Sequence, residues 1–349
     1  MLSAGRTFSL VLSVALSTLA LTGCSPHADG MPVSAQQMVH LLQTLLPQGK
    51  PSAQQGQGQG LSDQPVFPPS AQLVLDEGGN TATVKVSLTR WPVPVPAQYS
   101  QCPDTAYHPY SHCTQTLLPA GAELVLDRSP RNENHPNGAE LLSALLTYKD
   151  GKQVFVSETG SSSDNKTVGL PLTLKQLATI ATSAVWQPIL AKMPAPPAGA
   201  RTGSVARLSG RQISHIIGRL LPTGLRAAGE GGSDGFGHLT VDDGHGASLI
   251  AVNVQQWKPG DPAMTKLFHN AGTLPDGTRI NTQQGPAPRG GAGTIEWTVD
   301  TLRRDGLRVV ISAVNAGAYR LPASRGEPAL TLDQLKQIAL DPAWQQTAN

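Results

Sequence analysis

The densest gathering of reactive side chains in the sequence is Cys102, His108, His112 and Cys113. Thiols and imidazoles at this spacing support different chemistries. The two thiols can close a loop of about 12 residues as a disulfide, which stabilises by constraining the unfolded chain. Alternatively, two thiolates and two imidazoles can hold a tetrahedral zinc ion. The spacing follows no common zinc pattern, and Pro109 keeps His108 and His112 off a shared helical face. Free thiols are the third reading.

Other candidates weaken when read in context. Asp242-Asp243-Gly244-His245-Gly246 has the carboxylates and imidazole of a catalytic or calcium site. Its counterpart earlier in the chain, Asp76-Glu77-Gly78-Gly79-Asn80, lacks the histidine and keeps the turn-forming residues, so a hairpin turn accounts for both. His40 and His215 occupy equivalent places, pointing away from an apolar helical stripe. They are candidate interaction residues toward a partner, a ligand or solvent. The glycine-rich pieces 54–60 and 229–237 read as loops after a helix. Neither follows a strand and opens a helix, so neither fits nucleotide binding. No Ser/His/Asp set with a nucleophile elbow and no HExxH is present. The sequence nominates no catalytic residue, no resident metal and no cofactor, and an enzyme is the less expected reading.

The equivalences above come from an internal repeat, which sets the frame for every candidate. Ser34-Ala35-Gln36-Gln37-Met38 with Leu45-Leu46-Pro47 answers Ser209-Gly210-Arg211-Gln212-Ile213 with Leu220-Leu221-Pro222. Leu73-Val74-Leu75-Asp76 running to Trp91 answers Leu239-Thr240-Val241-Asp242 running to Trp257. Leu118-Pro119-Ala120-Gly121 answers Leu274-Pro275-Asp276-Gly277, and Asp150-Gly151 answers Asp305-Gly306. Thr173-Leu174-Lys175-Gln176-Leu177 with Trp186 answers Thr331-Leu332-Asp333-Gln334-Leu335 with Trp344. Twenty-six residues lie between Trp91 and Leu118 but only sixteen between Trp257 and Leu274. The surplus carries both cysteines and belongs to the first copy alone.

Each copy opens and closes on a helix signal. Ser34/Gln37, Thr173/Gln176, Ser209/Gln212 and Thr331/Gln334 are capping boxes, each followed by apolar residues at helical spacing. Between them, 73–75 with 83–89, 142–148 with 154–157, and 294–301 with 307–314 read as strands joined by tight turns. One further short strand is expected near Gly121 or Gly277. The fold class expected is α+β: two tandem homologous domains, each an antiparallel sheet flanked by an N-terminal and a C-terminal helix. Their boundaries are 33–190 and 208–349, joined by an Ala/Pro-rich linker over 191–207. With aromatics only 4% of the chain, the repeated Trp91, Trp186, Trp257 and Trp344 are expected to plug the two cores.

The N-terminus carries Arg6, an apolar run over 8–21, and then Leu21-Thr22-Gly23-Cys24. The run is too short for a span that needs roughly 20 helical residues and has the length of a signal-peptide core. Its end resembles the lipobox of bacterial lipoproteins. That resemblance implies a signal peptide over 1–23 and a mature chain beginning at Cys24, which carries diacylglycerol and palmitate-type acylation. Residues 24–32 would be the tether, and the chain would be exported and held to the outer face of the cell membrane. The mature chain is also similar to lipoproteins of high-GC Gram-positive (actinobacterial) bacteria, through its Asp-Gly hairpins and its Thr-Leu-x-Gln-Leu…Trp ending. With Cys24 acylated, Cys102 and Cys113 remain as an even pair in an oxidising compartment, and a disulfide is expected. Lys and Arg number 26 against 24 Asp and Glu, interspersed along the chain, which argues against nucleic acid as partner. The expected function is a non-enzymatic binding or regulatory module acting through contacts with an envelope protein. Capture of a small molecule or lipid between the domains is the alternative, and a cell-envelope hydrolase is less expected.

Overall fold

The repeat predicts that two sheets should share one topology, and they do. In the computed structural model, which describes residues 33–47, 51–58, 67–77, 80–161, 170–194 and 208–345, each half of the chain builds a seven-stranded antiparallel sheet. The first comprises β1 (Ala53–Gln57), β2 (Ser70–Glu77), β3 (Asn80–Arg90), β4 (His112–Leu117), β5 (Glu123–Pro130), β6 (Glu140–Thr147) and β7 (Lys152–Ser161), in the order β1-β2-β3-β7-β6-β5-β4. The second comprises β8 (Arg226–Ser233), β9 (Phe236–Asp242), β10 (Ala247–Gln256), β11 (Gly272–Thr273), β12 (Arg279–Pro286), β13 (Ile295–Leu302) and β14 (Leu307–Val314). Its order, β11-β12-β13-β14-β10-β9-β8, is the same order strand for strand when read from the opposite edge.

Helices accompany one face of each sheet. In the first half they are α1 (Ala35–Leu45), α2 (Leu174–Ala181) and α3 (Gln187–Lys192). In the second they are α4 (Gly210–Leu220) and α6 (Leu332–Leu340), while the short α5 (Pro262–Leu267) lies outside that core, with the following Phe268 set against Arg308 on the other face. All four capping boxes form. In each, the Ser or Thr hydroxyl accepts from the amide three residues on, and the Gln side chain accepts from the cap amide. This satisfies two of the orphan amides at each helix start.

Two strands per half were not expected. β1 and β8 fall on the glycine-rich stretches read as loops, and among the described residues both are edge strands paired to one neighbour. Their sequences, Ala-Gln-Gln-Gly-Gln and Arg-Ala-Ala-Gly-Glu-Gly-Gly-Ser, lack the β-branched and aromatic residues that mark strands. Their side chains are mostly exposed, so no period-two burial pattern shows in composition. The outer strands on the other edge, β4 with β5 and β11 with β12, enlarge the single extra strand expected near Gly121 and Gly277.

Each half packs its own core between sheet and helices. The first gathers Met38, Leu42, Val84, Val86, Val156, Leu177 and Trp186; the second gathers Ile213, Ile217, Val252, Ile311, Leu335 and Trp344. Trp186 and Trp344 are fully buried, and their indole N–H groups donate to the Ile180 and Ile338 carbonyls at 2.7 and 2.6 Å. A buried indole needs such an acceptor, and in both copies the last turn of the closing helix supplies it.

Trp91 and Trp257 do not plug the cores. Trp91 is half-buried and stacked on Tyr99, with ring centroids 4.3 Å apart, and Trp257 is also half-buried. What recurs at these positions is a backbone device. The Trp91 amide donates to the Gly151 carbonyl at 2.8 Å, and the Trp257 amide to Gly306 at 3.0 Å. Gly151 and Gly306 sit at φ +82° and +85°, and a Cβ at either would collide with the tryptophan carbonyl. The Asp-Gly pairs are therefore kept by both backbone angle and contact.

Candidate functional site: a disulfide loop between two helix-free sheet faces

Strand alternation assigns one face of each sheet to the helices that build its core and leaves the other without them, apart from the short α5 beside Arg308. On β9, Leu239 and Val241 enter the second core, so His238 and Thr240 face the helix-free side. Ile250 and Val252 of β10, with Ile311 and Ala313 of β14, likewise enter that core, leaving Leu249 and Val314 on the helix-free side in a separate small cluster. In the first sheet Leu124 and Leu126 of β5 pack on the helices, which turns Val125 and Asp127 to the helix-free side.

The enlarged loop of the first half occupies this side of both sheets. Cys102 and Cys113 form a disulfide, so the zinc and free-thiol readings fall away. His108 instead contacts Glu133, Nδ1 to Oε1 at 3.1 Å. The loop is fastened to its own sheet by the Tyr99 carbonyl, which accepts from Gln153 Nε2 at 2.6 Å, and by the Ser111 hydroxyl, which donates to Asp127. Between the cysteines, it docks on the second sheet. Ala106 is buried, and its carbonyl accepts from the Tyr319 amide at 2.9 Å. Tyr107 lies against Tyr319 and Phe236, with centroids 5.1 and 5.3 Å apart, while the Arg289 guanidinium stands 5.7 Å from its ring centre. The Tyr110 hydroxyl donates to the Arg320 carbonyl at 3.4 Å, and Arg320 Nη1 donates to Asn134 Oδ1 at 3.0 Å.

The charged member of this contact is Asp104, whose Oδ1 lies 2.8 Å from His238 Nε2. The imidazole is 2% exposed. Its ring N–H is not aimed along the line to the carboxylate, so the contact is not a straight hydrogen bond, and Nδ1 has no partner among the described residues. Burial pushes the Asp104 carboxyl upward, but His238, the Ala106 amide and His108 outweigh it and hold the group below the usual carboxylate range. Burial raises both the Tyr107 and Tyr319 phenols, the latter reinforced by the Glu296 carboxylate beside it. Gly231, opposite His238 on β8, leaves the room the imidazole needs; a Cβ there would collide with the ring.

A cleft of about 540 Å³ opens where the loop meets β8. Gln98, Gln101, Asp104, Thr105 and Tyr107 line one side, and Glu230, Gly231, Gly232, Ser233 and Phe236 the other. Its volume lies within the range of ligand-binding pockets.

The remaining candidates lie elsewhere. His40 and His215 are exposed on α1 and α4, away from the apolar stripe, and the structure does not bring them together with the loop. His40 borders a shallow depression between α1 and β1 with Gln43, Gln54 and Gly56. Asp242-Asp243-Gly244-His245-Gly246 is the β9–β10 turn, with Gly244 and Gly246 at positive φ and Asp243 gripped by Arg325 at 2.9 and 3.1 Å. Arg325 and the His245 amide hold the Asp243 carboxyl below its ordinary value. Cys24 and its lipobox lie outside the described residues. Among the described residues no group of three or more His, Cys, Asp and Glu side chains is arranged to hold a metal, and no helix is long and apolar enough to cross a membrane.

Asp104, Tyr107, Phe236 and His238 were not singled out from sequence. A signal existed in the difference between the copies. Aligning Leu73 with Leu239 sets Ser70 and Gln72 of the first copy opposite Phe236 and His238 of the second. The second copy thus places aromatic and imidazole groups where the first has small or polar ones, and the first copy alone has the loop that meets them.

No family model matches this chain, and no curated protein matches it either.

Proposed function

We propose that the chain is an exported lipoprotein, anchored through Cys24, whose two copies of one α+β domain act together as a non-enzymatic binding module toward an envelope partner. The observation that carries the reading is the disulfide loop of the first copy seated on the helix-free sheet face of the second. A protein whose halves acted separately would have no use for an insertion in one copy matched to side chains in the other. The loop sets a fixed relation between the halves and builds the cleft beside β8, where among the described residues the acidic and imidazole groups are Asp104 with His238, His108 with Glu133, and Glu230. Lipidation at Cys24 supplies the membrane location, in accord with the lipobox pattern.

The test is fractionation of cells expressing the wild type and Cys24→Ala. The wild type should partition with membranes and take up labelled palmitate; the variant should be released in soluble form. Equal membrane retention of the two would overturn the anchoring.

The cleft supports a second reading, capture of a small molecule between the domains. It predicts ligand-induced thermal stabilisation, since binding to the native state alone raises apparent stability. A flat response across metabolites and lipids would count against it.

A further inference from the structure

Resting on the binding-module reading, the geometry points to the occupant of the cleft: we infer that it takes an extended peptide segment carrying a lysine or arginine, added as a strand to the free edge of β8.

β8 ends its sheet, and among the described residues its only strand partner is β9. Among the described residues, no backbone hydrogen bond outside that ladder reaches Gly229–Ser233. In an antiparallel pair every second residue turns its N–H and C=O away from the partner, so this stretch offers unpaired donors and acceptors. Exposed edges are normally blunted by charge, proline or a bulge. The bulge in β8 lies between Ala227 and Gly229, Gly232 sits at φ +139°, and the Gly231 carbonyl accepts from the Ser214 hydroxyl at 2.9 Å, while pairing with β9 continues through Ser233. Gly229, Gly231 and Gly232 carry no side chains to shield the backbone.

The cleft gives this edge a facing wall. Gln98, Gln101 and Thr105 stand across from Glu230–Ser233, so an incoming strand meets polar groups on its far side. Phe236 and Tyr107 offer aromatic surface to one face of such a strand, where every second side chain would point. The lining holds two carboxylates, Asp104 and Glu230, and no lysine or arginine. Asp104 is engaged with His238, whereas Glu230 is exposed and makes no ion pair among the described residues. Glu230 pairs with Leu239 and so turns to the helix side of this edge, away from Phe236 and Tyr107; a basic side chain beside it on that side completes the site, and an acidic one is repelled. Main-chain pairing at an edge with side-chain selection at alternate positions is an established mode of peptide recognition.

The test uses the mature full chain and pentapeptides that alternate threonine and valine around a central lysine or glutamate. Titrated into isotope-labelled protein, the lysine peptide should shift the amide resonances of residues 229–233, and the glutamate peptide should bind at least about tenfold more weakly. Glu230→Lys should reverse that order. Methylating the backbone nitrogens of the lysine peptide should abolish its binding. Gln101→Trp, which fills the cleft from the opposite wall, should weaken both peptides. Equal binding by the methylated peptide would mean that a cation is captured without strand addition, and would overturn the proposal. Absence of any shift at 229–233 would overturn it too. A protein partner crosslinked elsewhere on the surface, with no peptide effect, would leave the binding module standing and remove only this occupant.

Discussion

The Asp104 carboxylate, on the disulfide loop of the first half, lies 2.8 Å from the buried His238 imidazole on a strand of the second. The two residues have no counterpart relation in the repeat, so their meeting belongs to the assembled pair of halves and not to either copy alone. Around them, Ala106 and Tyr107 supply the apolar and stacking part of the contact. Removing the carboxylate leaves a buried imidazole without its partner, and stranding a buried polar group costs more than the contact contributes. Asp104→Ala should therefore loosen the halves more than His238→Ala with Asp104→Ala together. Small-angle scattering reads this as an increased radius of gyration in the single variant; indistinguishable profiles for all three proteins would contradict it.

The same pair makes the contact sensitive to acid. The Asp104 carboxyl is held below its unfolded value of about 3.9, so the folded state binds fewer protons than the unfolded one near that pH. The contribution is complete above about pH 4 and is lost as the pH falls through the lowered folded value. Interdomain scattering followed downward from neutral pH should stay constant until the carboxylate range and then expand, and Asp104→Asn should remove that step. Identical acid profiles for wild type and variant would assign the expansion to other groups.

Cys102 and Cys113 bracket every loop residue that touches the second half. A loop of about 12 residues gains up to about 3 kcal/mol of conformational freedom in the unfolded state when its bridge is removed. Cys102→Ser with Cys113→Ser should leave the two cores folded, since neither cysteine lies in them, but expose the loop to protease. The expected result is cleavage within 97–112 at protease levels that leave the wild type intact. An unchanged cleavage pattern would mean that docking alone orders the loop.

The tryptophans separate into two kinds. Trp344→Ala empties a fully buried site and removes the indole hydrogen bond to the Ile338 carbonyl, and should cost about 3–5 kcal/mol. Trp91→Ala removes a half-buried ring stacked on Tyr99 and should cost far less, on the order of 1 kcal/mol. Chemical denaturation compares them directly. Similar losses would mean that the Trp91–Tyr99 stack holds the first half together as strongly as a core residue.

Gly306 is fixed by its φ of +85° and by the Trp257 carbonyl that a Cβ would strike. Gly306→Ala should destabilise by about 1–3 kcal/mol, whereas Gly326→Ala, with open space around it, should be close to neutral. Equal melting temperatures for the two variants would contradict the turn assignment.

Much of the framework was legible because it was written twice. Four capping boxes, four hairpin turns and the Trp186/Trp344 endings recur at matched positions, and each recurrence checks the other. β1 and β8 were not legible, because an exposed edge strand rich in Gly and Gln has neither the composition nor the alternation of a half-buried one. Trp91 and Trp257 were misplaced for a related reason. Their recurrence was visible, but it reflects an amide paired to a turn glycine, and a backbone bond leaves no trace in side-chain type. The site was the least legible part. The disulfide could be inferred from a pair of cysteines in an exported chain, yet where the loop would dock depends on sheet faces that adjoin only after both halves fold.

The most direct test of the central claim is site-specific photo-crosslinking in cells, with the photoreactive residue at Gln98, at Gln101 or at the exposed Gln337 on α6. The account predicts one discrete protein adduct from the two cleft positions in the Cys24-anchored protein, loss of that adduct in Cys24→Ala, and none from Gln337. Adducts spread equally over all three positions, or an adduct from Gln337 alone, would contradict a binding module that works through the loop and β8.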